Sequence, residues 1–311
     1  MKVYRTLAEV PALDGPVVTV GMFDGVHAGH RALIRETCAW ATETGGTSVV
    51  LTFSNQPRTL IGLPPVREIT SLRQRMLLME EVGVDCGVVL EFTDETASLD
   101  PGDFIEQVIV RGLGCERIVA GFDWRFGWGR VGGRDLLLRL QDKGLICVRF
   151  NEAVEWNGEI VSSTAIRSAV EAGDLDRASG MLGRPFSALG KVIRGSGRGR
   201  SLGFPTANLD VEGRVRPPDG VYAATARIEG VSRVSVASLG AGPTFGGDPE
   251  AVEVHVVGFS GDLYGKTMEL EFGRFLRPQE KFAGEKELIA QIRKDIESAT
   301  RQPGSSGSPV S

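Results

Sequence analysis

The stretch Gly21-Met22-Phe23-Asp24-Gly25-Val26-His27-Ala28-Gly29-His30 follows an apolar run at residues 17–20 and precedes a helical pattern over residues 31–42. This order predicts a strand, a glycine turn and a helix. A helix N-terminus favours anions, and glycines let a phosphate approach the backbone closely. His27 and His30 lie beside that end, where each ring could donate a hydrogen bond to a phosphoryl oxygen. The alternative is a plain turn with two capping residues, an odd use of two of only three histidines.

Composition limits the classes of protein. A chain of 311 residues exceeds the usual size of one domain, so two domains are expected. A net charge of −5 argues against a general nucleic-acid binder. The four cysteines (38, 86, 115 and 147) lack CxxC spacing and lie in apolar segments, which predicts buried, reduced thiols. Residues 1–11 lack an apolar signal core, and no window approaches the roughly 20 apolar residues of a membrane span. We therefore expect a soluble, cytoplasmic protein.

Between residues 17 and 150, short β-branched runs alternate with helical patterns, which predicts an α/β domain with a parallel sheet. The predicted strands are 17–20, 47–53, 86–92, 117–120 and 145–150, and the later helices are 71–82, 101–111 and 134–143. Ligands bind such sheets at the carboxyl ends of strands, near the switch in strand order. The loops at that edge should carry the chemistry.

Three such loops stand out: residues 52–58, 121–127 and 161–167. The third combines hydroxyl side chains with Arg167 at a helix start, which suits phosphate oxygens, although a plain Ser/Thr N-cap has the same pattern. The second is rich in aromatic residues and is followed by Arg130. It could hold a flavin ring or be a packed surface loop.

Beyond residue 185 the pattern changes to short strands with glycine turns, which predicts a small closed antiparallel barrel. The predicted strands are 188–193, 220–228, 234–239, 252–259 and 267–272. An amphipathic helix over 285–296 should pack on the barrel. We therefore expect domains at 1–184 and 185–300, and a disordered Gly/Ser/Pro-rich tail at 301–311.

The loop 194–208 joins the first barrel strand to the rest of this half. Its glycines and arginines, among them Gly195, Gly197 and Arg200, could wrap the phosphates of a nucleotide. A solvated basic loop and an RNA-binding Arg/Gly patch are the alternatives. Thr206 and Asn208, two residues apart, offer oxygen ligands for Mg²⁺, although an Asx turn would look similar.

Glu253 and His255 share one face of a predicted strand. A carboxylate facing a barrel opening is a candidate general base, whereas an exposed polar strand face is the simpler explanation. Residues 261–267 resemble a Walker loop, but three residues separate the glycines where four are required, so we predict a hairpin turn.

The opening decapeptide resembles the HxGH signature of the nucleotidylyltransferase superfamily. More narrowly, it resembles the FMN adenylyltransferase half of the bacterial bifunctional riboflavin kinase/FAD synthetases. The three loops resemble that family's Thr-Phe-x-x-His-Pro, Gly-x-Asp-Phe-Arg-Phe-Gly and Ser-Ser-Thr-x-Ile-Arg segments. Segments at 203–209, 220–222, 243–245, 253–255, 262–266 and 277–282 resemble its riboflavin kinase domain. Departures from the family pattern are Gln56 for His, Arg75 for Lys, Trp124 for Phe, Ala165 for Arg and Gly242 for Arg or Asn.

The resemblance implies a Rossmann-like nucleotidylyltransferase domain, a riboflavin kinase barrel, and both reactions from riboflavin through FMN to FAD. Its implied catalytic residues are His27, His30 and Glu253. The implied nucleotide and phosphate ligands of the first domain are Gly21, Phe23, Asp24, Gly29, Ser163, Thr164 and Arg167. The implied flavin ligands are Phe53, Asp123, Arg125 and Phe126. The implied kinase nucleotide ligands are Gly195, Gly197, Arg200, Gly203, Pro205 and Thr206, with Mg²⁺ on Thr206 and Asn208.

The implied partners are the small molecules ATP, riboflavin, FMN and FAD, without nucleic acid or membrane. The sequence leaves a homo-oligomer open. Two other functions remain. The chain could be a riboflavin kinase with a weakened adenylyltransferase domain, or a regulator that binds flavin or nucleotide without turnover.

Overall fold

The computed structural model describes residues 1–56, 59, 62, 64–127, 131–195, 199, 202–240 and 252–301. These residues form two compact units. The first comprises Met1–Ala165 with Met181–Gly183, and the second comprises Ile166–Gly180 with the chain from Arg184 onward. The domain limits 1–184 and 185–300 remain a prediction.

The first unit is built on a six-stranded, fully parallel sheet in the order β1-β4-β3-β2-β5-β6. Its strands are β1 Lys2–Tyr4, β2 Val17–Val20, β3 Ser48–Phe53, β4 Cys86–Leu90, β5 Arg117–Gly121 and β6 Cys147–Asn151. This confirms the predicted parallel sheet. The three residues of β1 were not predicted, since so short a strand shows no periodicity. The strand order reverses beside β2, between β3 and β5, so a ligand site is expected at the carboxyl end of β2.

Helices follow the strands along the chain. They are α1 Ala28–Glu43, α2 Leu72–Val82, α3 Asp94–Ser98, α4 Pro101–Asp103, α5 Arg134–Asp142, α6 Ser163–Glu171 and α7 Leu175–Leu182. The helix predicted at 101–111 begins as α4 and continues as a π-helix, Phe104–Arg111. A short 3₁₀ helix, Leu7–Glu9, follows β1. A two-stranded hairpin, β7 Glu155–Trp156 with β8 Glu159–Ile160, was not predicted.

Each face of the parallel sheet packs into its own apolar cluster. Val18 and Val20 of β2 lie in one cluster with Ile105 and Ile109 of the π-helix. Val17 lies in the other, with side chains of α1 and α2. Successive residues of a strand point to opposite faces, so a strand buried on both sides needs an unbroken apolar run. This explains why the strands read as runs rather than as alternating patterns.

The second unit holds a closed antiparallel barrel in the order β10-β13-β12-β11-β14-β9. Its strands are β9 Ser187–Ile193, β10 Ala207–Asp210, β11 Gly220–Ile228, β12 Val231–Leu239, β13 Val252–Val256 and β14 Thr267–Arg277. The predicted closed barrel is confirmed. β10 was not predicted, and its first two residues lie in the stretch 194–208 that was interpreted as a loop. The helix α8 Glu285–Thr300 contacts β11 and β12, as predicted, and extends past residue 296.

An ion pair between a buried carboxylate and a largely buried guanidinium joins α8 to the barrel. Arg277, in the last position of β14, donates from Nε and Nη2 to the Asp295 carboxylate at 2.8–3.1 Å. Asp295 is 5% exposed and also accepts from Gln291 at 2.9 Å. A buried carboxylate is stable in this position because several donors replace its lost water.

Two expectations need correction. All four cysteines are free, but only Cys86 and Cys115 are buried: Cys38 is half-buried in α1 and Cys147 is exposed at the start of β6. The buried thiols of Cys86 and Cys115 have a pKa raised to about 11, chiefly by burial, and stay protonated. The turn at 261–267 is not a hairpin, because β13 pairs with β10 and β12 whereas β14 pairs with β9 and β11.

Candidate active sites

The turn after β2 lies where the strand order reverses and has an unusual backbone. Phe23 and Val26 have φ of 51° and 40°, a region that non-glycine residues rarely occupy. The Asp24 carboxylate holds this turn, since it accepts from the backbone N–H of Ile69 at 2.9 Å and of Thr70 at 3.1 Å. Strained backbone of this kind persists where surrounding contacts enforce it, commonly at functional sites.

The two histidines form a stacked pair at the N-terminus of α1. His27 is the N-cap, and its Nδ1 accepts from the backbone N–H of His30 at 3.2 Å. The ring centroids are 3.5 Å apart with an interplanar angle of 17°. Gly29 makes room for this, because a Cβ there would lie 3.2 Å from Cε1 of His27. The capping interpretation is therefore confirmed for His27, together with the predicted histidine pair.

The electrostatics of the pair keep His30 uncharged. Burial, followed by the nearby His27 and Arg75, lowers the pKa of His30 well below its ordinary value of 6.5. Its Nδ1 is buried and has no hydrogen-bond partner among the described residues. His30 therefore offers a neutral imidazole, able to donate or to accept one hydrogen bond.

The start of α6 reaches the same turn. Ser163 Oγ donates to the backbone carbonyl of Asp24 at 2.8 Å, while Ser162 Oγ accepts from the N–H of Ala165 at 3.2 Å. The simple N-cap interpretation thus holds for Ser162, and Ser163 connects this helix N-terminus to the turn. Thr164 is exposed, and Arg167 lies one turn further along α6.

The loop after β3 is held by two side-chain amides. Asn55 exchanges two hydrogen bonds with the backbone of Phe92, both 2.8 Å. Gln56 does the same with the backbone of Val66, at 2.7 and 3.0 Å. An amide has a donor and an acceptor side by side, which a neutral imidazole does not. Gln56 therefore has a structural role here, because its side chain holds the loop after β3 to the backbone of Val66. Pro57 and Arg58 lie outside the described residues.

The predicted flavin ligands divide into two groups. Phe53 and Phe126 are 7% and 9% exposed and belong to the apolar core, where Phe126 stacks on Trp124 at 4.1 Å. Asp123 and Arg125 are exposed. Arg130 lies outside the described residues. Flavin binding by these residues remains a prediction.

In the barrel, two predicted metal ligands lie against glycines of the loop 194–208. A Cβ on Gly195 would lie 2.0 Å from Nδ2 of Asn208, and one on Gly199 would lie 3.0 Å from Oγ1 of Thr206. Only glycine permits these approaches. Gly203, with φ of 85°, and Pro205 are exposed in the same loop. Gly197, Arg200, Gly242 and residues 243–245 lie outside the described residues.

Glu253 lies beside this cluster. It pairs with Asn208 of β10 on one side and Ser238 of β12 on the other. Directly opposite residues share a face of the sheet, with Cβ atoms about 5 Å apart. The valines of β13 are buried whereas Glu253 and His255 are half-buried, so both point away from the barrel interior. His255 Nδ1 is 2.9 Å from the carbonyl of Pro205.

Thr206 and Asn208 of the barrel cluster offer uncharged oxygen atoms as possible metal ligands. Among the described residues, no group of three or more His, Cys, Asp or Glu could hold a metal ion. Mg²⁺ is commonly bound by one or two protein oxygens together with substrate phosphates, and Thr206 with Asn208 fits that donor set.

The sequence interpretation missed Arg75 as a component of the first site and treated it only as a departure from the family. α2 buries Arg75 together with Leu78 and Met79. Arg75 precedes Leu78 and Met79 by three and four residues, so all three lie on one face of the helix. A charged residue on the apolar face of a helix is the signal that could have identified Arg75.

Comparison with known proteins follows the division into two units. Residues 10–165 match the family model described as FAD synthetase, and residues 182–302 match that described as riboflavin kinase. The bifunctional riboflavin kinase/FMN adenylyltransferase of Pseudomonas fluorescens is 37% identical over 93% of this chain and 93% of that protein. The protein of the same name from Escherichia coli K12 is 35% identical over 95% and 96%.

A solved structure has the same fold. The crystal structure of a protein described as a macrolide-efflux protein from Streptococcus pneumoniae has a TM-score of 0.82 and 30% identity, and covers 97% of this chain and 99% of that one. In the described part of the present chain, no helix has the length and hydropathy to span a bilayer. Both family models and relatives matched along nearly the whole chain show that it belongs to the family of bifunctional riboflavin kinase/FMN adenylyltransferases.

Proposed function

We propose that this chain makes FAD from riboflavin in two steps. The barrel transfers the γ-phosphate of ATP to the ribityl 5′-hydroxyl of riboflavin, and the N-terminal unit transfers AMP from a second ATP to FMN, releasing pyrophosphate. The observation that carries the proposal is the presence of two separate polar clusters on one chain. One is the histidine pair at the carboxyl end of β2, and the other is Asn208 beside Glu253.

For adenylyl transfer, the FMN phosphate is already a nucleophile and attacks the α-phosphorus in line, so no general base is needed. His27 accepts a hydrogen bond at Nδ1, which places its ring proton on Nε2, and in the proposal this N–H donates to a phosphoryl oxygen. His30 adds a second neutral imidazole. Preorganised donors of this kind stabilise the charge that builds up on the transferred group and the leaving pyrophosphate.

Other residues of the first site have supporting roles in the proposal. Thr164 and the backbone N–H groups at the N-terminus of α6 bind phosphate oxygens, and Ser163, whose hydroxyl donates to the carbonyl of Asp24, holds this helix end against the turn. Gly21, Phe23 and Gly29 shape the turn, and Asp24 holds it through Ile69 and Thr70. The role of Arg167 in phosphate binding, and the flavin contacts of Phe53, Asp123, Arg125 and Phe126, rest on the family resemblance.

For riboflavin phosphorylation, Glu253 is the proposed general base, which takes the proton of the attacking hydroxyl. Thr206 and Asn208 would hold Mg²⁺, which when bound neutralises charge on the ATP phosphates. Gly195, Gly203 and Pro205 give the loop the shape to approach those phosphates, and Gly197 and Arg200 are assigned to the same role by resemblance. Catalysis then depends on alignment and charge neutralisation.

The test is chromatography of flavins after incubation of the purified protein with ATP and Mg²⁺, started from riboflavin in one reaction and from FMN in another. FAD from both reactions would support two working sites. FMN from the first and nothing from the second would identify a riboflavin kinase alone. Absence of turnover in both would support a non-catalytic regulator. Cytoplasmic location remains a prediction, and the oligomeric state remains open.

A further inference from the structure

Arg75 is the largest fully buried side chain among the described residues, with 1% of its surface exposed. Its Nη1 donates to the backbone carbonyl of Met22 at 2.7 Å and to that of Phe53 at 3.3 Å. Met22 belongs to the turn that precedes the histidine pair, and Phe53 is the last residue of β3. One guanidinium therefore joins the two chain segments that leave the sheet at the ligand edge.

Arg75 also forms an ion pair with a neighbouring carboxylate. Nη2 lies 3.4 Å from Oε1 of Glu68, whose side chain is 15% exposed. Removing a guanidinium from water is costly, and packing alone would favour an apolar residue among Leu78 and Met79. A buried ion pair is often no more stable than well-packed apolar residues of the same volume, so the guanidinium at this place needs a further reason.

The substrates supply that reason. Adenylyl transfer brings the triphosphate of ATP and the phosphate of FMN to one point, and charge interactions are stronger away from bulk water. Arg75 is too buried to touch either substrate, so it must act through the groups that do. Burial is the main cause of the lowered pKa of His30, and the charges of His27 and then of Arg75 lower that pKa further.

We propose that Arg75 is a positioning residue of adenylyl transfer, which fixes the histidine turn against the end of β3 and so sets the position of the His27–His30 pair. The proposal rests on the adenylyltransferase function assigned above. The charged or titratable groups that act on His30 are His27, the N-cap of the same helix, and Arg75 on α2. Arg75 is paired with Glu68, and the Asp24 carboxylate lies in the turn and accepts from Ile69.

The experiment compares Arg75→Met, which removes the charge and the hydrogen bonds, with Arg75→Lys, which keeps the charge and a donor. Arg73→Met on the same helix is the matched control, because Arg73 is exposed. Each variant is assayed for FAD formation from FMN and, in the same preparation, for FMN formation from riboflavin. The second activity reports on an independent site of the same chain.

We expect Arg75→Met to lower kcat for FAD formation by about 10²-fold, the usual effect of losing one charge-stabilising group, with riboflavin phosphorylation within about twofold. Arg75→Lys should recover most of this loss, and Arg73→Met should change neither reaction. The acid limb of the pH profile of FAD formation should move to higher pH in Arg75→Met, since His30 becomes easier to protonate. A merely structural role would not move that limb.

An unchanged kcat in folded Arg75→Met would overturn the proposal. If Arg75→Met does not fold, the lysine variant decides. FAD formation within about tenfold of the original protein and an unmoved acid limb support the proposal, whereas a loss of 10²-fold or more in folded Arg75→Lys refutes it. Failure of the adenylyltransferase assignment looks different, because the unmodified protein would then make no FAD from FMN.

Discussion

Gly195→Ala tests the barrel site with the addition of one methyl group. The new Cβ would lie 2.0 Å from Nδ2 and 2.5 Å from Cγ of Asn208, which is more than 1 Å inside ordinary van der Waals contact. The obstructed atoms are the end of a side chain, so we expect Asn208 to turn away while the barrel stays folded. A displacement of about 1 Å in a positioning group can cost 10²-fold in rate. We therefore expect riboflavin phosphorylation to fall by about that factor.

The assay follows FMN formation from riboflavin and FAD formation from FMN in one preparation, with the melting temperature as a check on folding. FAD formation from FMN should be unchanged, because that reaction takes place in the other unit. Gly284→Ala is the matched control, since a Cβ there meets no atom within 4 Å and its φ of −166° suits any residue. Full kinase activity in Gly195→Ala would refute the idea that Asn208 must lie over Gly195.

Three further predictions concern the roles of single side chains. Asp295→Ala leaves the largely buried guanidinium of Arg277 without its carboxylate, so the free energy of unfolding should fall by about 3–5 kcal/mol in denaturant titrations. The double variant Arg277→Met with Asp295→Leu should restore most of this free energy. No loss in the single variant would contradict a stabilising role for the pair. Glu253→Gln should lower riboflavin phosphorylation by about 10²- to 10⁴-fold while FAD is still made from FMN. His30→Ala should lower FAD formation from FMN while riboflavin is still phosphorylated. If either variant lost both reactions to the same extent, separate sites would be refuted. The pKa of His30 is lowered in the folded protein, so as the pH falls through about 6.5 this side chain becomes protonated in the unfolded chain but not in the folded protein. Stability is therefore full above that pH and declines below it. Denaturant midpoints between pH 8 and 5 should show this decline, and His30→Gln should weaken it.

Much of the fold could be predicted from local patterns. The runs of β2, β3 and β5 are apolar because both faces of the sheet are buried, and alternation with helical periods indicates parallel strands. The barrel strands show the opposite pattern, as in β13, where buried valines alternate with Glu253 and His255. The spacing of apolar residues along the chain follows which side chains are buried, so both architectures could be predicted from the sequence.

Short elements were harder to predict, because their stability comes from partners distant in the chain. β1 forms only beside β4, and β10 only between β9 and β13. Neither has enough residues to show a period. Cys147 is exposed because it is the first residue of β6, and the position of this strand in the sheet also depends on partners distant in the chain.

The sequence by itself determined the residue types at both sites. The histidine spacing, the oxygen donors Thr206 and Asn208, and Glu253 are all visible as local patterns, because a helix terminus or a strand face is defined by neighbours in the chain.

The tertiary structure alone decided which distant residues act together. Asp24 contacts Ile69 and Thr70, Arg75 joins Met22 to Phe53, and Asn208 lies between Gly195 and Glu253. These contacts arise from strand order and barrel closure, which bring separate segments to one edge. No local pattern specifies them, because burial creates the need for a polar partner while the fold determines which partner is within reach.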